Sequence, residues 1–304
     1  MSFTPAARPG VLHNYSKGLV AFEHASPTAP VPPNNTLIFI GGLFDGLLTV
    51  PYATSLAHIL PASYSLVEIL FSSSYAGWGV SSLAKDASQI AECVAYFKSL
   101  RPGGRIVLMG HSTGCQDVME YLVGPGHEKR ETINGAIIQA PVSDREAMVE
   151  ALPPGVYERS CAIAKHYVDD GKGEDIMPGE VTASFFGSAV SARRWLSLAS
   201  PDHDGDDDFF SSDLSLEKLQ GTFGKLPKTT PMCIIYSGND EFAPKFFDKA
   251  KLVKKWLGII KEGGGVADDQ NSGVVEGAAH NLIGSPEKVV ADLISRVVRF
   301  LQTV

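Results

Sequence analysis

Apolar residues in this chain gather in short blocks separated by polar, glycine-rich and proline-rich stretches. The blocks at residues 35–40, 64–70, 105–109, 134–140 and 231–236 read as continuous apolar runs with little alternation. That pattern marks strands buried on both faces. Weaker strand patterns lie at residues 18–23 and 273–276. Helical periodicity fills residues 83–100, 115–123 and 286–301, the first stopping before Pro102-Gly103-Gly104. Residues 25–33 are rich in proline and predict a loop. Strands separated by helices predict an α/β fold, a mostly parallel sheet with helices on both faces. Residues 143–228 break the alternation, with helical stretches at 144–151 and 155–168 between proline and glycine punctuation. They predict a cap or lid inserted into a single domain spanning residues 1–304.

Composition narrows the partners. Apolar residues make up 44% and charged residues 20%, as in a globular protein. A net charge of −8 argues against nucleic acid, which needs a basic face, and against an anionic membrane surface. No apolar run approaches the roughly 20 residues that span a bilayer. The first ten residues lack a charged-then-apolar signal pattern. Cys93, Cys115, Cys161 and Cys233 are far apart with no Cys-x-x-Cys pair. A reducing, cytoplasmic compartment is the expectation, with no disulfide or metal framework.

The chemistry is concentrated in Gly110-His111-Ser112-Thr113-Gly114, directly behind the run at 105–109. A strand followed by Gly-x-Ser-x-Gly is the nucleophile elbow of an α/β-hydrolase. A serine hydroxyl is a weak nucleophile, so it must stand at a sharp turn where a histidine reaches it. The partners follow in the required order of serine, acid, histidine. The run at 231–236 leads into Ser237-Gly238-Asn239-Asp240-Glu241-Phe242-Ala243-Pro244. Asp240 has the right spacing to Pro244 and is the favoured acid; Glu241 has the right spacing from Gly238 and is the alternative. Of the eight histidines, only His280 lies after the acid and just past a strand. Thr113 supplies the first oxyanion N–H. The second is assigned to Leu43 in Gly41-Gly42-Leu43-Phe44-Asp45-Gly46, with Phe44 as the neighbouring choice.

Residues 202–208 hold five aspartates around His203 and Gly205. The spacing does not match a calcium-binding helix–loop–helix. The run predicts a solvated loop, or a negative patch that attracts a cationic substrate.

Several stretches together resemble a known family. They are residues 41–47, 72–79 and 109–117, Gln139-Ala140-Pro141-Val142-Ser143-Asp144-Arg145-Glu146, and residues 237–244. The chain resembles the fungal siderophore esterases, α/β-hydrolases that cut fusarinine C and triacetylfusarinine C, within a broader and poorly characterised eukaryotic hydrolase family. The resemblance supports Ser112 as nucleophile and His280 as base, and leaves Asp240 against Glu241 open. It also implies that residues 72–79 line the pocket, with Ser74, Tyr75 and Trp78 beside Phe44 as substrate-binding candidates. Tyr75 and Trp78 equally suit packing under the cap. The implied substrate is a small-molecule ester, a ferric cyclic triester of hydroxyornithine units. Its cleavage needs no metal or organic cofactor. A general carboxylesterase or thioesterase, and a non-enzymatic receptor on the same fold, are the alternatives.

Overall fold

The structure is a computed structural model that describes residues 7–25, 33–182 and 187–304. The proline-rich loop expected at 25–33 lies almost wholly outside the described residues. In chain order the first elements are β1 (Gly10–Ser16), β2 (Leu19–His24), β3 (Asn35–Ile40), α1 (Pro51–Ile59), β4 (Tyr64–Leu70) and α2 (Leu83–Leu100). Then come β5 (Ile106–His111), α3 (Gly114–Val123), β6 (Gly135–Gln139), α4 (Asp144–Ala151), α5 (Val156–Asp169), α6 (Gly179–Thr182) and α7 (Ala192–Ala199). The last are α8 (Leu216–Thr222), β7 (Met232–Ser237), α9 (Lys249–Glu262), β8 (Gly273–Val275) and α10 (Glu287–Thr303).

Among the described residues the strands form one eight-stranded sheet in the order β1-β2-β4-β3-β5-β6-β7-β8. From β4 through β8 every pairing is parallel, and β1 and β2 run antiparallel at one edge. Central strands β5, β6 and β7 are buried at every position, which is why their sequences are apolar runs. On one face α2, α3 and α9 bring Ile90, Phe97, Met119 and Trp256 into the core. On the other, α1 and α10 bring Leu56, Leu293 and Phe300. The fold is therefore the expected α/β architecture, with helices on both faces.

A third cluster stands apart, made by Met148, Tyr157, Trp195 and Leu198 from α4, α5 and α7, together with Trp78. It accounts for only part of the segment expected as a cap. Phe209, Phe210, Leu219 and Phe223 instead join the first cluster. There Phe223 stacks on Trp256 at 5.2 Å, a contact between distant stretches that no local pattern announces.

Register places the strand ends together. Ile40 pairs with Gly110, His111 with Gln139, and Ser237 with Val275. The loops after β3, β5, β7 and β8 thus emerge on one rim, at the carboxyl ends of the strands, where open α/β sheets bind ligands.

Candidate active site

The turn after β5 is tight because its glycines leave no alternative. A Cβ on Gly110 would lie 2.2 Å from the Gly114 carbonyl oxygen, and one on Gly114 would lie 2.3 Å from that of Ile40. Ser112 between them holds a φ of 55°, a left-handed conformation rare for a residue with a side chain. Its N–H donates to the Gln139 carbonyl at 3.0 Å, and its own carbonyl accepts from Cys115 at 2.8 Å as α3 begins. Strand β5 delivers the serine and α3 fixes its height.

Asp240 and Glu241 divide two tasks. Both Asp240 carboxylate oxygens lie on His280 Nδ1, at 2.9 and 2.8 Å, and both side chains are buried. Glu241 instead accepts the backbone N–H of His280 at 2.9 Å. The loop after β7 is tied to the loop after β8 by Asn239 N–H donating to the Ala278 carbonyl at 2.8 Å. Lys249 Nζ donates to the carbonyls of Ser237 and Gly238 at 3.2 and 2.7 Å. Phe242 sets its ring edge-on to the His280 ring, centroids 4.8 Å apart.

The loop after β3 crosses hard against Ser112. A Cβ on Gly42 would lie 2.5 Å from Ser112 Cβ. Asp45 holds this turn, accepting the Gly42 N–H at 2.8 Å through one oxygen and the Thr49 hydroxyl at 2.8 Å through the other. Among the described residues, neither the Leu43 nor the Thr113 N–H finds an intramolecular acceptor. Two unspent donors beside Ser112 are what a developing oxyanion needs.

Ser112, His280, Leu43 and Thr113 line one cavity of about 300 Å³. Its apolar wall comes largely from Phe44, Val142, Met148, Leu152 and Phe242. Of the substrate-binding candidates, only Phe44 lines it. The other three require correction. Ser74 Oγ accepts the Phe71 N–H at 3.1 Å. Tyr75 is 46% exposed and crosses Gly46, where a Cβ would lie 2.2 Å from its ring. Trp78 is buried in the third cluster, its ring edge-on to Phe44 at 5.1 Å. The cause is a short 3₁₀ helix over Tyr75–Val80, folded under α7. Ser191 N–H donates to the Gly79 carbonyl at 2.8 Å, and Arg194 Nε to that of Trp78 at 3.1 Å. The wall assigned to residues 72–79 is supplied by α4.

The acid run is also corrected. Asp207 is buried, accepting from Arg194 at 2.6 Å and from the Ser197 hydroxyl at 2.6 Å. Asp208 is buried between Ser211 and Arg145, and Asp204 accepts from Ser200. The run is partly a structural network, and none of its residues lines the cavity over Ser112.

Two residues quoted in the sequence motifs, but given no role there, belong to the site. His111 Nδ1 lies 2.6 Å from Gln139 Oε1, which also accepts from the Tyr52 hydroxyl at 2.8 Å. Gln139 Nε2 donates onward to Ser237 Oγ at 3.0 Å and the His280 carbonyl at 3.3 Å. An acceptor at Nδ1 puts the His111 proton there. The His111 ring is 4.9 Å from that of His280. Burial first, and His280 second, push its pKa down to about 4, so it is neutral at physiological pH. The available signal was the central position of both residues at the ends of buried strands.

Sheet order, elbow and converging loops define the class: the chain is an α/β-hydrolase. Residues 1–302 match the family model described as a protein of unknown function, DUF1749, and the chain belongs to that family. It is 37% identical to the fusarinine C esterase sidJ of Aspergillus fumigatus, covering 90% of this chain and 90% of that protein. It is 38% identical to an esterase of Emericella nidulans, covering 97% and 93%. The solved structure of the siderophore hydrolase EstB from Aspergillus fumigatus superposes with a TM-score of 0.86 at 34% identity, covering 99% of each chain. Like these relatives, the chain is an ester hydrolase, and its substrate is a small-molecule ester.

Proposed function

We propose that this chain is a serine esterase that hydrolyses the ester bonds of fusarinine-type hydroxamate siderophores and so helps release their iron. The observation that carries the reading is the Asp240 carboxylate on His280 Nδ1, in the same cavity as the strained Ser112. Two relatives are named for a fusarinine ester and a siderophore.

In this reading His280 removes the Ser112 proton as the oxygen attacks the ester carbonyl carbon. Asp240 holds the imidazole tautomer with Nε2 free and stabilises the cation that forms. The Leu43 and Thr113 N–H groups receive the oxyanion. Collapse expels the alcohol, which takes its proton from His280, and water then repeats the sequence on the acyl-enzyme. The helices of residues 143–228 that close over Ser112 act as the cap.

A cavity of about 300 Å³ is at the small end of ligand sites. One arm of a large ester enters it while the rest stays outside. Tethered hydroxamates hold iron tightly because each sits at high effective concentration near the metal, and cutting the tether removes that advantage. Four free, buried cysteines suit a cytoplasmic setting. The apolar wall favours a second reading, a general carboxylesterase or thioesterase for small apolar acyl groups. One experiment separates them. Pure protein is incubated with ferric and iron-free fusarinines and with apolar acyl esters, and products are followed by mass spectrometry. Linear fusarinine fragments at the higher kcat/KM support the siderophore reading; turnover of apolar esters alone overturns it.

A further inference from the structure

We infer that Asp144 determines specificity by pairing with a protonated amine that the substrate carries next to its scissile carbonyl. The inference rests on the esterase reading above and deepens it.

Among the described residues, Asp144 and Asp45 are the two carboxylates that line the cavity over Ser112, and no lysine or arginine lines it. Asp45 has both oxygens engaged within its own loop. Asp144 does not. Its Oδ2 accepts from Gln116 Nε2 at 2.7 Å. Its Oδ1 has no intramolecular partner among the described residues, yet it is not sealed in the core. Asp144 is thus a cavity-lining carboxyl with one oxygen unengaged among the described residues.

The carboxyl is rigidly placed. Asp144 is the first residue of α4, whose N-terminus is capped by Ser143 Oγ accepting from Glu146 N–H at 3.1 Å. Gln116 comes four residues after Ser112 on the first turn of α3. Asp144 and Ser112 also line the same cavity of about 300 Å³, so the carboxyl and the nucleophile face one small space. A group that meets the carboxyl is attached close to the acyl carbon, as the amine of an α-amino ester is.

Charge favours the same partner. A lone carboxylate in an apolar cavity is costly until a cation joins it. Burial, with Asp207 and Asp208 behind it, pushes the Asp144 pKa up to about 8 against the pull of Arg194 and Gln116. The empty cavity thus holds the acid uncharged at neutral pH. When an ammonium binds, the carboxyl proton leaves to solvent and an ion pair remains. An acetylated nitrogen has no charge to offer and adds bulk at the same point.

The test compares kcat/KM for Nδ-acetyl-L-ornithine ethyl ester with that of its Nα-acetylated counterpart. The parent should prefer the free amine by at least tenfold. Asp144→Asn and Asp144→Ser should each bring the ratio close to one, chiefly through KM for the free amine. Labelling of Ser112 by a fluorophosphonate shows that the site is formed in each variant, and either variant that labels carries the test. A parent without the preference overturns the assignment. So does a labelled variant that keeps it, or one that loses both substrates equally. A parent that hydrolyses 4-nitrophenyl acetate without amine preference refutes the Asp144 assignment alone. A parent inert to every ester refutes the esterase reading with it.

Discussion

Ser112 owes its conformation to Gly110, Gly114 and the strand behind it, not to its hydroxyl. Ser112→Ala should therefore fold and melt like the parent while losing at least about a thousandfold in ester hydrolysis. Steady-state turnover and a thermal melt on the same preparation check both halves. Asp240 and Glu241 separate by what each touches. Asp240→Asn leaves the imidazole without a charge to offset its cation, so about a thousandfold or greater loss is expected. Glu241→Gln weakens one hydrogen bond to backbone and should cost about three- to tenfold. Equal losses would place the acid elsewhere. The meeting of Ser112 and His280 in one cavity was legible from the sequence because chain order and strand ends constrain them. The acid was open between neighbours because spacing does not say which carboxylate turns toward the ring. His111 and Gln139 were given no role because inside buried strands they look like packing.

At the scale of elements, α3 carries a cost beneath its catalytic end. Asp117 on its first turn is buried with one oxygen unpartnered, and burial, then Asp86 and Asp207, raise its pKa well above normal. Asp86 is pushed up to about 6 and Asp144 to about 8. Unfolded, these acids lose their protons near pH 4. Between that value and their folded values the native state binds more protons, so stability falls as pH rises. Asp117→Asn removes one such group. Its melting temperature relative to the parent should rise steadily from about pH 5 to pH 8 by differential scanning calorimetry; a difference independent of pH would contradict the assignment. Element boundaries followed the sequence where runs were long and apolar, as in β3, β5 and β7. Strand β1 went unforeseen because it is an exposed edge with few buried positions. Helix α1 and the turn at Tyr75–Val80 were hidden inside stretches that local pattern reads as loop.

Across the whole molecule, Arg194 joins parts that are far apart in sequence. Buried on α7, it reaches Asp207, Ser197 and the Trp78 carbonyl. Asp207→Asn strips the guanidinium of its charged partner and should destabilise the protein by about 3–5 kcal/mol. Asp202→Asn, an exposed residue 3.9 Å from Lys165, should change stability by less than about 1 kcal/mol. Urea titration distinguishes the two, and equal small effects would return the run to a solvated loop. The sequence shows the aspartates together, but Arg194 stands thirteen residues before Asp207 and nothing local announces their meeting. The overall architecture was legible because it depends on strand order and burial. The division of residues 143–228 between two clusters was not legible, because both draw on one continuous segment.

Phe44 belongs to two neighbourhoods at once. Its backbone follows Leu43, whose N–H is proposed to receive the oxyanion, and its ring leans on Trp78 in the third cluster. Loosening that cluster should therefore slacken the turn at Leu43 while the sheet is still intact. Turnover becomes a sensor of the third cluster's integrity: as urea is raised, hydrolysis should disappear before the far-ultraviolet circular dichroism changes, and coincident transitions would show that cluster and sheet melt as one body.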